Sequence, residues 1–333
     1  MKSITFEEHF TLEEVNNSWP EIAPDPKGVP FDAMMRALEK TQGFTDDDNL
    51  IYHDKRIQFM DEQDVKIQVL SYGNKSPSGL TGQISVDLCR KVNDELHDYI
   101  TKNPERFLGF ATLPINEPEK AAAEFKRTVQ DFDFKGALIS GHAADGFLDQ
   151  QKYDILFKTA SELDVPIYLH PAIVQSEIYQ HYYKSEAYSE ETAASFSAFG
   201  YGWHVEVGIQ AIRLLLSGVF DRYPNLQIII GHWGEFAPFF FERMDVILSA
   251  DHLAHPVSHY FKNNFYITPS GMLTKPQFDL VKAEIGIDRI LYAADYPYVK
   301  PENLGTFLSE LGLTQAELEK ITYKNAEHLL KLK

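Results

Sequence analysis

One stretch decides the fold class: Gln227-Ile228-Ile229-Ile230-Gly231-His232-Trp233-Gly234-Glu235, an apolar run that ends in a histidine and a carboxylate. A short β-branched run of this kind is typical of a buried strand, and the glycines that follow it indicate a tight turn. Three other apolar runs also end in possible metal ligands: Glu7-Glu8-His9, Leu169-His170-Pro171 and Ala294-Asp295-Tyr296-Pro297. In a barrel of parallel strands the C-terminal ends of all strands meet on one face, so we expect these side chains to converge.

Eight apolar runs alternate with amphipathic segments along the chain. The predicted strands are Ser3–Phe6, Lys66–Ser71, Phe107–Leu113, Gly136–Ser140, Pro166–Leu169, Gln227–Ile230, Phe265–Thr268 and Arg289–Ala293. The predicted helices include Ser85–Thr101, Pro118–Asp131, Gln150–Leu163, Val205–Phe220 and Lys275–Ile285. This alternation indicates parallel strands with crossover helices, and eight such units close into a (β/α)8 TIM barrel of the α/β class. A doubly wound open sheet would alternate in the same way, but no Gly-rich phosphate loop follows the first strand.

The length of 333 residues suits a single barrel domain spanning residues 1–333. Two connections are unusually long: Thr11 to about Leu50 after strand 1, and Pro171 to about Gly202 after strand 5. Long connections in compact domains are usually functional, so we expect lids, substrate walls or subunit contacts there. The tail, Thr314–Lys333, is predicted to form two helices that pack on the outside of the barrel.

The charge balance limits the kinds of partner. Asp and Glu total 49 against 31 Lys and Arg, and the net charge of −18 opposes binding to nucleic acids and anionic membranes. No apolar stretch approaches the roughly 20 residues that span a bilayer. The single cysteine, Cys89, allows no intrachain disulfide, and two acidic residues near the N-terminus argue against a signal peptide. We therefore expect a cytoplasmic protein.

The candidate ligands carry different weight when they are considered one by one. Glu7 and His9 are two apart in a strand and share a face, while Glu8 points to the other face, although such a triplet also occurs by chance. His170 alone is as compatible with a hydrogen-bonded core histidine as with a ligand. His232 and Glu235 follow one strand and form a natural proton-handling pair. A buried Asp295 needs a counter-charge, such as a metal ion, unless it caps a helix.

These fragments together, in this order, resemble the amidohydrolase superfamily. The closer resemblance is to the decarboxylase branch that contains γ-resorcylate, 2,3-dihydroxybenzoate and aminocarboxymuconate-semialdehyde decarboxylases. Further similar stretches are Asn103–Pro114, Phe134–Ala137, Ser217–Pro224, Phe265–Gly271 and Asn325–Glu327. Most amidohydrolases begin with His-x-His on the first strand, whereas this chain has Glu7, as the dihydroxybenzoate decarboxylases do. That difference favours carbon–carbon lyase chemistry over hydrolysis.

The resemblance also implies roles for individual residues. The implied ligands of one divalent ion, Zn²⁺ or Mn²⁺, are Glu7, His9, His170 and Asp295. Asp295, His232 and Glu235 are the implied catalytic residues, with Asp295 as the proton donor. Arg243 matches an arginine that approaches the substrate in these decarboxylases, although a surface helix arginine in a salt bridge is the alternative. Tyr298 and Trp19 are candidate substrate-binding residues from their positions, as walls of the pocket, with ordinary aromatic packing as the alternative.

The sequence therefore predicts a metal-dependent decarboxylase of an ortho-hydroxylated aromatic acid, whose carboxylate and phenolic oxygen both bind the metal. The resemblance implies a homodimer or homotetramer. One alternative keeps the fold and the metal but makes the chain a hydrolase of a lactone, ester or amide that uses metal-bound water. A second alternative, a catalytically silent scaffold, would be expected to have lost ligands.

Overall fold

The computed structural model describes residues 2–22, 30–52, 55–144 and 146–332, and its centre is a set of short parallel strands. The strands are Ile4–Phe10 (β1), Ile67–Tyr72 (β2), Phe107–Gly109 (β3), Ala111–Thr112 (β4), Ala137–Ser140 (β5), Ile167–His170 (β6), Ile228–Ile230 (β7), Phe265–Ile267 (β8) and Tyr292–Ala293 (β9). β3 and β4 are the two halves of one barrel position, interrupted at Phe110. All eight predicted strands are therefore confirmed.

The strands form a closed ring. Parallel pairing runs from β9 through β1 and β2 to β3, and from β4 through β5, β6 and β7 to β8. The backbone N–H of Leu291 donates to the carbonyl of Ile267 at 2.9 Å, which joins the last strand position to β8. The predicted (β/α)8 barrel is confirmed.

Helices connect the strands and cover the ring. They are Glu13–Ile22 (α1), Phe31–Gln42 (α2), Lys55–Glu62 (α3), Gln83–Lys102 (α4), Pro118–Phe132 (α5), Asp154–Leu163 (α6), Ser176–Ile178 (α7), Glu190–Ser197 (α8), Gly202–Leu216 (α9), Val219–Arg222 (α10), Phe241–Ile247 (α11), Val257–Asn264 (α12), Lys275–Glu284 (α13), Leu304–Glu310 (α14), Gln315–Glu319 (α15) and Asn325–Leu330 (α16). Short 3₁₀ turns occupy Asp46–Asn49, Pro77–Gly79, Gln151–Tyr153, His232–Gly234, Ala237–Phe240 and Ile287–Arg289, and π turns occupy Tyr179–Tyr183 and Lys320–Lys324. The predicted helix Val205–Phe220 is divided between α9 and α10. None of the described helices has the length and hydropathy needed to cross a bilayer.

The inside of the ring is filled by side chains from every strand position, as in other TIM barrels. They form one buried cluster: Ile4, Phe6, Val69, Phe110, Leu138, Tyr168, Ile229, Tyr266, Leu291 and Ala293. Ala326, Leu329 and Leu330 of α16 belong to the same cluster, so the C-terminal helix closes one end of the barrel. The prediction that the tail packs outside the barrel is wrong, because three apolar residues of α16 cover interior side chains that would otherwise meet water.

The two long connections pack against each other. Ala33 and Met34 of α2, after β1, form a buried cluster with Ala194 of α8, after β6. Phe199 and Trp203 are half-buried against this cluster. Both connections follow strands that carry candidate ligands, so they form a joint cap on the active-site face of the barrel.

The turn before β5 gives a test of the barrel packing. Gly136 has φ +157°, and a Cβ atom there would lie 2.4 Å from the carbonyl oxygen of Pro166, a backbone atom that cannot move away independently. We expect Gly136→Ala to lower the free energy of unfolding by more than about 2 kcal/mol. Gly305 in α14 has no atom within 4 Å of the same position, so Gly305→Ala should be neutral or stabilise by up to about 1 kcal/mol. Equal urea midpoints for the two variants would contradict this account.

Candidate active site

Four side chains from three strand ends meet above the barrel. Glu7 and His9 lie on β1, His170 ends β6, and Asp295 lies just beyond β9. One ligand atom from each lies within 4.8 Å of the others. His9 Nε2 is 3.3 Å from Asp295 Oδ1, and His170 Nε2 is 3.3 Å from Glu7 Oε1. The expected convergence of these four side chains is present in the structure.

The backbone bends at the points where these residues project. Glu7 has φ +57° and Asp295 has φ +63°, values in the left-handed region that non-glycine residues rarely adopt. His232 at φ +44°, Glu235 at +51° and Ser270 at +46° share this conformation at the same edge of the barrel. The pairing of β1 with β2 also shifts by one residue near Glu7, as in a β-bulge. Strained backbone of this kind is concentrated at functional sites.

Three atoms of the four-residue cluster are buried without a hydrogen-bond partner among the described residues: Glu7 Oε1, His9 Nε2 and Asp295 Oδ1. Buried polar atoms are normally paired, and an unpaired buried carboxylate is energetically expensive. All three atoms point into one space, together with His170 Nε2. Two carboxylate oxygens and two imidazole nitrogens suit Zn²⁺ or Mn²⁺. The donor set therefore fits one divalent cation.

The two imidazoles are arranged with a lone pair towards this space. His170 Nδ1 lies 2.7 Å from the carbonyl oxygen of Pro171, which can only accept, so Nδ1 carries the hydrogen and Nε2 is free. His9 Nδ1 lies 3.3 Å from the hydroxyl of Ser71. Burial lowers the pKa of His9 to about 4 and also lowers the pKa of His170, which keeps both rings neutral at pH 7. Neutral imidazole is the form that binds metals.

Asp295 differs from an ordinary aspartate in its proton affinity. Its burial raises the pKa of the carboxyl to about 8, although the nearby His232 acts in the opposite direction. Its second oxygen, Oδ2, is 4.0 Å from His232 Nε2. The carboxyl of Asp295 can therefore hold a proton near neutral pH. Its neighbour on this side is the imidazole of His232.

His232 belongs to a second cluster, with Glu235 between two imidazoles. Glu235 Oε1 is 2.7 Å from His232 Nδ1, and Glu235 Oε2 is 2.9 Å from His204 Nδ1. Burial alone would lower the pKa of His232, but Glu235 and Glu7 raise that pKa to about 10. Burial raises the pKa of Glu235 less than the two histidines lower it. Glu235 is thus a buried anion, and His232 is held as an imidazolium whose Nε2 faces the four-residue cluster.

A second layer of buried polar groups supports the cluster from below. Glu8 points away from Glu7 and accepts hydrogen bonds from the backbone N–H of Ala294 at 3.2 Å and from Gln68 at 2.9 Å. Arg56 bonds to Gln68 at 3.2 Å and to the carbonyl oxygen of His9. The chain of contacts fixes β1 next to Asp295.

The cavity beside His232 is lined mostly by apolar side chains. It has a volume of about 540 Å³, and its lining includes His204, Glu235, Phe199, Trp233 and Phe236. An apolar lining with a few polar groups is typical of small-molecule sites, and the polar groups here are those of the second cluster, His204, His232 and Glu235. None of the four-residue cluster lines this cavity.

The three candidate substrate-binding residues lie in different places. The ring of Tyr298 is tilted by 55° against the ring of His9, with the ring centroids 5.2 Å apart. The hydroxyl of Tyr298 accepts hydrogen bonds from Asn74 N and Asn49 Nδ2 at 2.7 and 2.8 Å. Trp19 in α1 is half-buried against the main hydrophobic core. Arg243 in α11 is exposed and has no ion pair or hydrogen bond with the described residues. Of these three side chains, only Tyr298 contacts a member of the four-residue cluster.

Several residues of the site were not predicted from the sequence. Tyr168 lies two residues before His170, so the alternation of the strand could have placed it on the same inward face. Ser270 lies three residues beyond the end of β8, at the same edge of the barrel as the candidate ligands. His204 lies near the start of α9, and no sequence pattern connects it to Glu235.

Comparison with known proteins places this site in a family. A family model described as amidohydrolase matches residues 9–332, and the chain belongs to that family. The chain is 32% identical to γ-resorcylate decarboxylase of Polaromonas sp. strain JS666, over 99% of this chain and 98% of that protein.

Solved structures show the same fold. The crystal structure of a putative amidohydrolase from Staphylococcus aureus has a TM-score of 0.89 and 63% identity, over the full length of both chains. A dihydroxybenzoic acid decarboxylase from Polaromonas sp. JS666, solved with bound manganese and the inhibitor 2-nitroresorcinol, has a TM-score of 0.83 and 29% identity, over 99% of this chain and 97% of that chain. The resemblance inferred from the motifs is confirmed.

The raised pKa of Asp295 predicts a pH-dependent metal affinity. A metal ion binds the ionised carboxylate, so below a pKa of about 8 its binding must displace a proton. Affinity for Mn²⁺ should rise by about tenfold per pH unit for each displaced proton between pH 6 and 8. His9, with a pKa of about 4, releases none in this range. Calorimetric titrations in buffers of different ionisation enthalpy count the protons.

The matched control is Glu206→Gln. Burial raises the pKa of Glu206 to about 7, but this carboxylate faces His142 at 3.6 Å and is not a member of the cluster. Glu206→Gln should therefore keep the proton release, whereas Asp295→Asn should lose one proton of it. An Mn²⁺ affinity that is constant from pH 6 to 8 would show that no cluster carboxyl is protonated in the metal-free protein.

Proposed function

We propose that this chain catalyses the metal-dependent, non-oxidative decarboxylation of an ortho-hydroxylated aromatic acid. The observation that carries the proposal is Asp295, a protonatable carboxyl that belongs to the candidate metal cluster and faces the imidazolium of His232. Relatives named decarboxylases along the full length of the chain support the same reaction. The divalent ion would be held by Glu7, His9, His170 and Asp295.

The reaction consumes one proton and releases carbon dioxide. The proton is added to the ring carbon that bears the carboxylate, and the electron pair of the broken carbon–carbon bond restores the aromatic ring. Asp295 is the donor in this proposal: its carboxylate takes up a proton when the substrate binds, gives it to the ring carbon, and regains a proton from solvent in the next turnover. When bound, a divalent ion supplies Lewis acidity towards the carboxylate and the phenolic oxygen of the substrate.

His232 and Glu235 form a buried ion pair that places a positive charge beside the four-residue cluster. The imidazolium of His232 directs Nε2 towards the cluster, where it can donate a hydrogen bond to an anionic oxygen of the substrate. Glu235 keeps the ring in this orientation through Nδ1. Tyr298 and Trp19 are proposed as walls for the aromatic ring, with Tyr298 held by Asn49 and Asn74.

The hydrolase alternative keeps the same residues but is not favoured by the relatives, which are named decarboxylases. The silent-scaffold alternative would leave the buried carboxylates of Glu7 and Asp295 with no role that compensates for their burial. The assembled cluster therefore supports catalysis.

An assay with a matched pair of substrates tests the reaction. We expect carbon dioxide release from ortho-hydroxybenzoates and none from the meta-hydroxy isomers, because only the ortho hydroxyl can bind one ion together with the carboxylate. In D₂O the product should carry a single carbon-bound deuterium, at the ring carbon that bore the carboxylate. His232→Asn should lower kcat by about 10²- to 10⁴-fold while the metal content stays unchanged. Turnover of a lactone without decarboxylation of any ortho-hydroxybenzoate would establish the hydrolase instead.

We further propose that the protein is a cytoplasmic homo-oligomer. Cys89, the single cysteine, is buried and unpaired, which suits a reducing compartment. An apolar surface, here called the α11 face, consists of Phe236, Phe239, Phe240, Val246 and Ile247; Phe239 is 72% exposed and Val246 is 73% exposed. These partly exposed side chains can supply the apolar centre of an interface, which buries roughly 800 Å² per partner when it is stable. Arg243 projects from the same helix, and we propose that it reaches the substrate of a neighbouring copy.

The double substitution Phe239→Glu, Val246→Glu tests the oligomer. It should convert the wild-type oligomer to a monomer in light-scattering chromatography, because two buried charges per copy would oppose association. Its control is Tyr52→Glu, which changes a side chain that is 55% exposed and lies outside the α11 face. A wild-type protein that is monomeric at micromolar concentration would refute the oligomer.

A further inference from the structure

Glu7 has two carboxylate oxygens in different surroundings. Oε1 faces His170 Nε2 at 3.3 Å and has no hydrogen-bond partner among the described residues. Oε2 accepts hydrogen bonds from the hydroxyls of Tyr168 and Ser270. A third hydroxyl, Thr268 Oγ1, lies 3.5 Å from Oε2. All three hydroxyl-bearing residues are buried, at 0 to 1% exposure, and the mechanism above assigns them no role.

The hydrogens of these hydroxyls can be assigned from their partners. The backbone N–H of His232 donates to Ser270 Oγ at 3.1 Å, so the hydrogen of Ser270 remains available for Glu7 Oε2. Tyr168 directs its only hydroxyl hydrogen to the same oxygen. Thr268 Oγ1 lies 2.8 Å from both Tyr168 OH and Ser270 Oγ, so it can donate to either of these oxygens and polarise that donor. Two hydroxyls, those of Tyr168 and Ser270, therefore donate to one oxygen of Glu7, and the hydroxyl of Thr268 supports them.

The space for this arrangement depends on a glycine. A Cβ atom at Gly231 would lie 2.7 Å from Ser270 Oγ and 3.0 Å from Glu7 Oε2. Any larger residue at position 231 would displace one of these two groups. The absence of a side chain at Gly231 is thus part of the site, in addition to any role in the turn that carries His232.

We propose that Tyr168, Thr268 and Ser270 form a hydroxyl clamp that presents Glu7 to the metal through Oε1 alone. With Oε2 occupied by two donors, only one oxygen of Glu7 faces His9, His170 and Asp295. Without the clamp, Oε2 would also be free to approach the ion and to occupy space that the substrate oxygens need. The clamp residues are positioning residues, since none of them faces the ligand space. This inference rests on the metal site of the proposed function.

The clamp predicts how metal binding changes when a hydroxyl is removed. Tyr168→Phe deletes one donor to Oε2 and keeps the ring, so the Mn²⁺ affinity of the metal-free protein should fall by about 10- to 100-fold. Thr268→Val removes only the indirect donor, and we expect a smaller fall, by about 3- to 10-fold. Both are measured by calorimetric titration of the apoprotein, with no activity assay involved.

The matched control is Tyr292→Phe. Tyr292 is also a buried tyrosine of the barrel, on β9, but its hydroxyl has no hydrogen-bond partner among the described residues. The Mn²⁺ affinity of the Tyr292→Phe variant should stay within about twofold of wild type. Thermal melts of the metal-free variants identify any that fail to fold, and Thr268→Val serves as the test if Tyr168→Phe does not fold.

A spectroscopic measurement separates the clamp from a general loosening of the site. The electron paramagnetic resonance spectrum of bound Mn²⁺ should change in Tyr168→Phe, because the ion gains a different oxygen environment, and should remain that of wild type in Tyr292→Phe. An unchanged spectrum together with unchanged affinity in Tyr168→Phe and Thr268→Val would overturn the clamp. A wild-type chain that binds no Mn²⁺ would instead overturn the metal site itself, so the two failures are distinguishable.

Discussion

Two buried carboxylates, Glu7 and Asp295, face one small space, and their mutual burial is the constraint on which the site depends. A barrel interior offers too little water to solvate them, so they require either a cation or a proton. The site fits both options: without a metal, burial raises the pKa of Asp295 to about 8, and the atoms that remain unpaired match a divalent ion that would displace that proton. The contacts of Arg56 and Glu8 below the site hold the two strands together against this repulsion.

The carboxyl groups of Glu235 and Asp295 have pKa values shifted in opposite directions. Glu235 is neutralised within the protein by His204 and His232, which lower the pKa of Glu235 below its ordinary value. Asp295 lacks such a pair and can hold a proton. Carboxyl groups whose environments separate their pKa values can serve as acid and as fixed charge in the same site. In the proposed reaction, this division would place the proton donor next to the ion pair of His232 and Glu235.

The fold and the four candidate ligands were predictable from sequence because each depends on local rules. Strand alternation places Glu7 and His9 on one face, and parallel pairing brings His170 and Asp295 to the same edge. His204 was not predictable, since its contact with Glu235 depends on how α9 packs after a long connection. The place of α16 was missed for a related reason: an amphipathic helix shows that it needs an apolar surface, without showing which surface. The exposure of Arg243 likewise depends on the packing of α11, which no local pattern determines.

The left-handed backbone at Glu7, His232 and Asp295 has a consequence for protein engineering. A non-glycine residue in that conformation is destabilised by roughly 1–2 kcal/mol, so glycine at any of the three positions would relieve the main chain. Selection for thermostability alone would therefore favour changes at three residues of the candidate site. Directed evolution of this barrel therefore needs a simultaneous screen for turnover, because substitutions that raise heat resistance would fall on the candidate site.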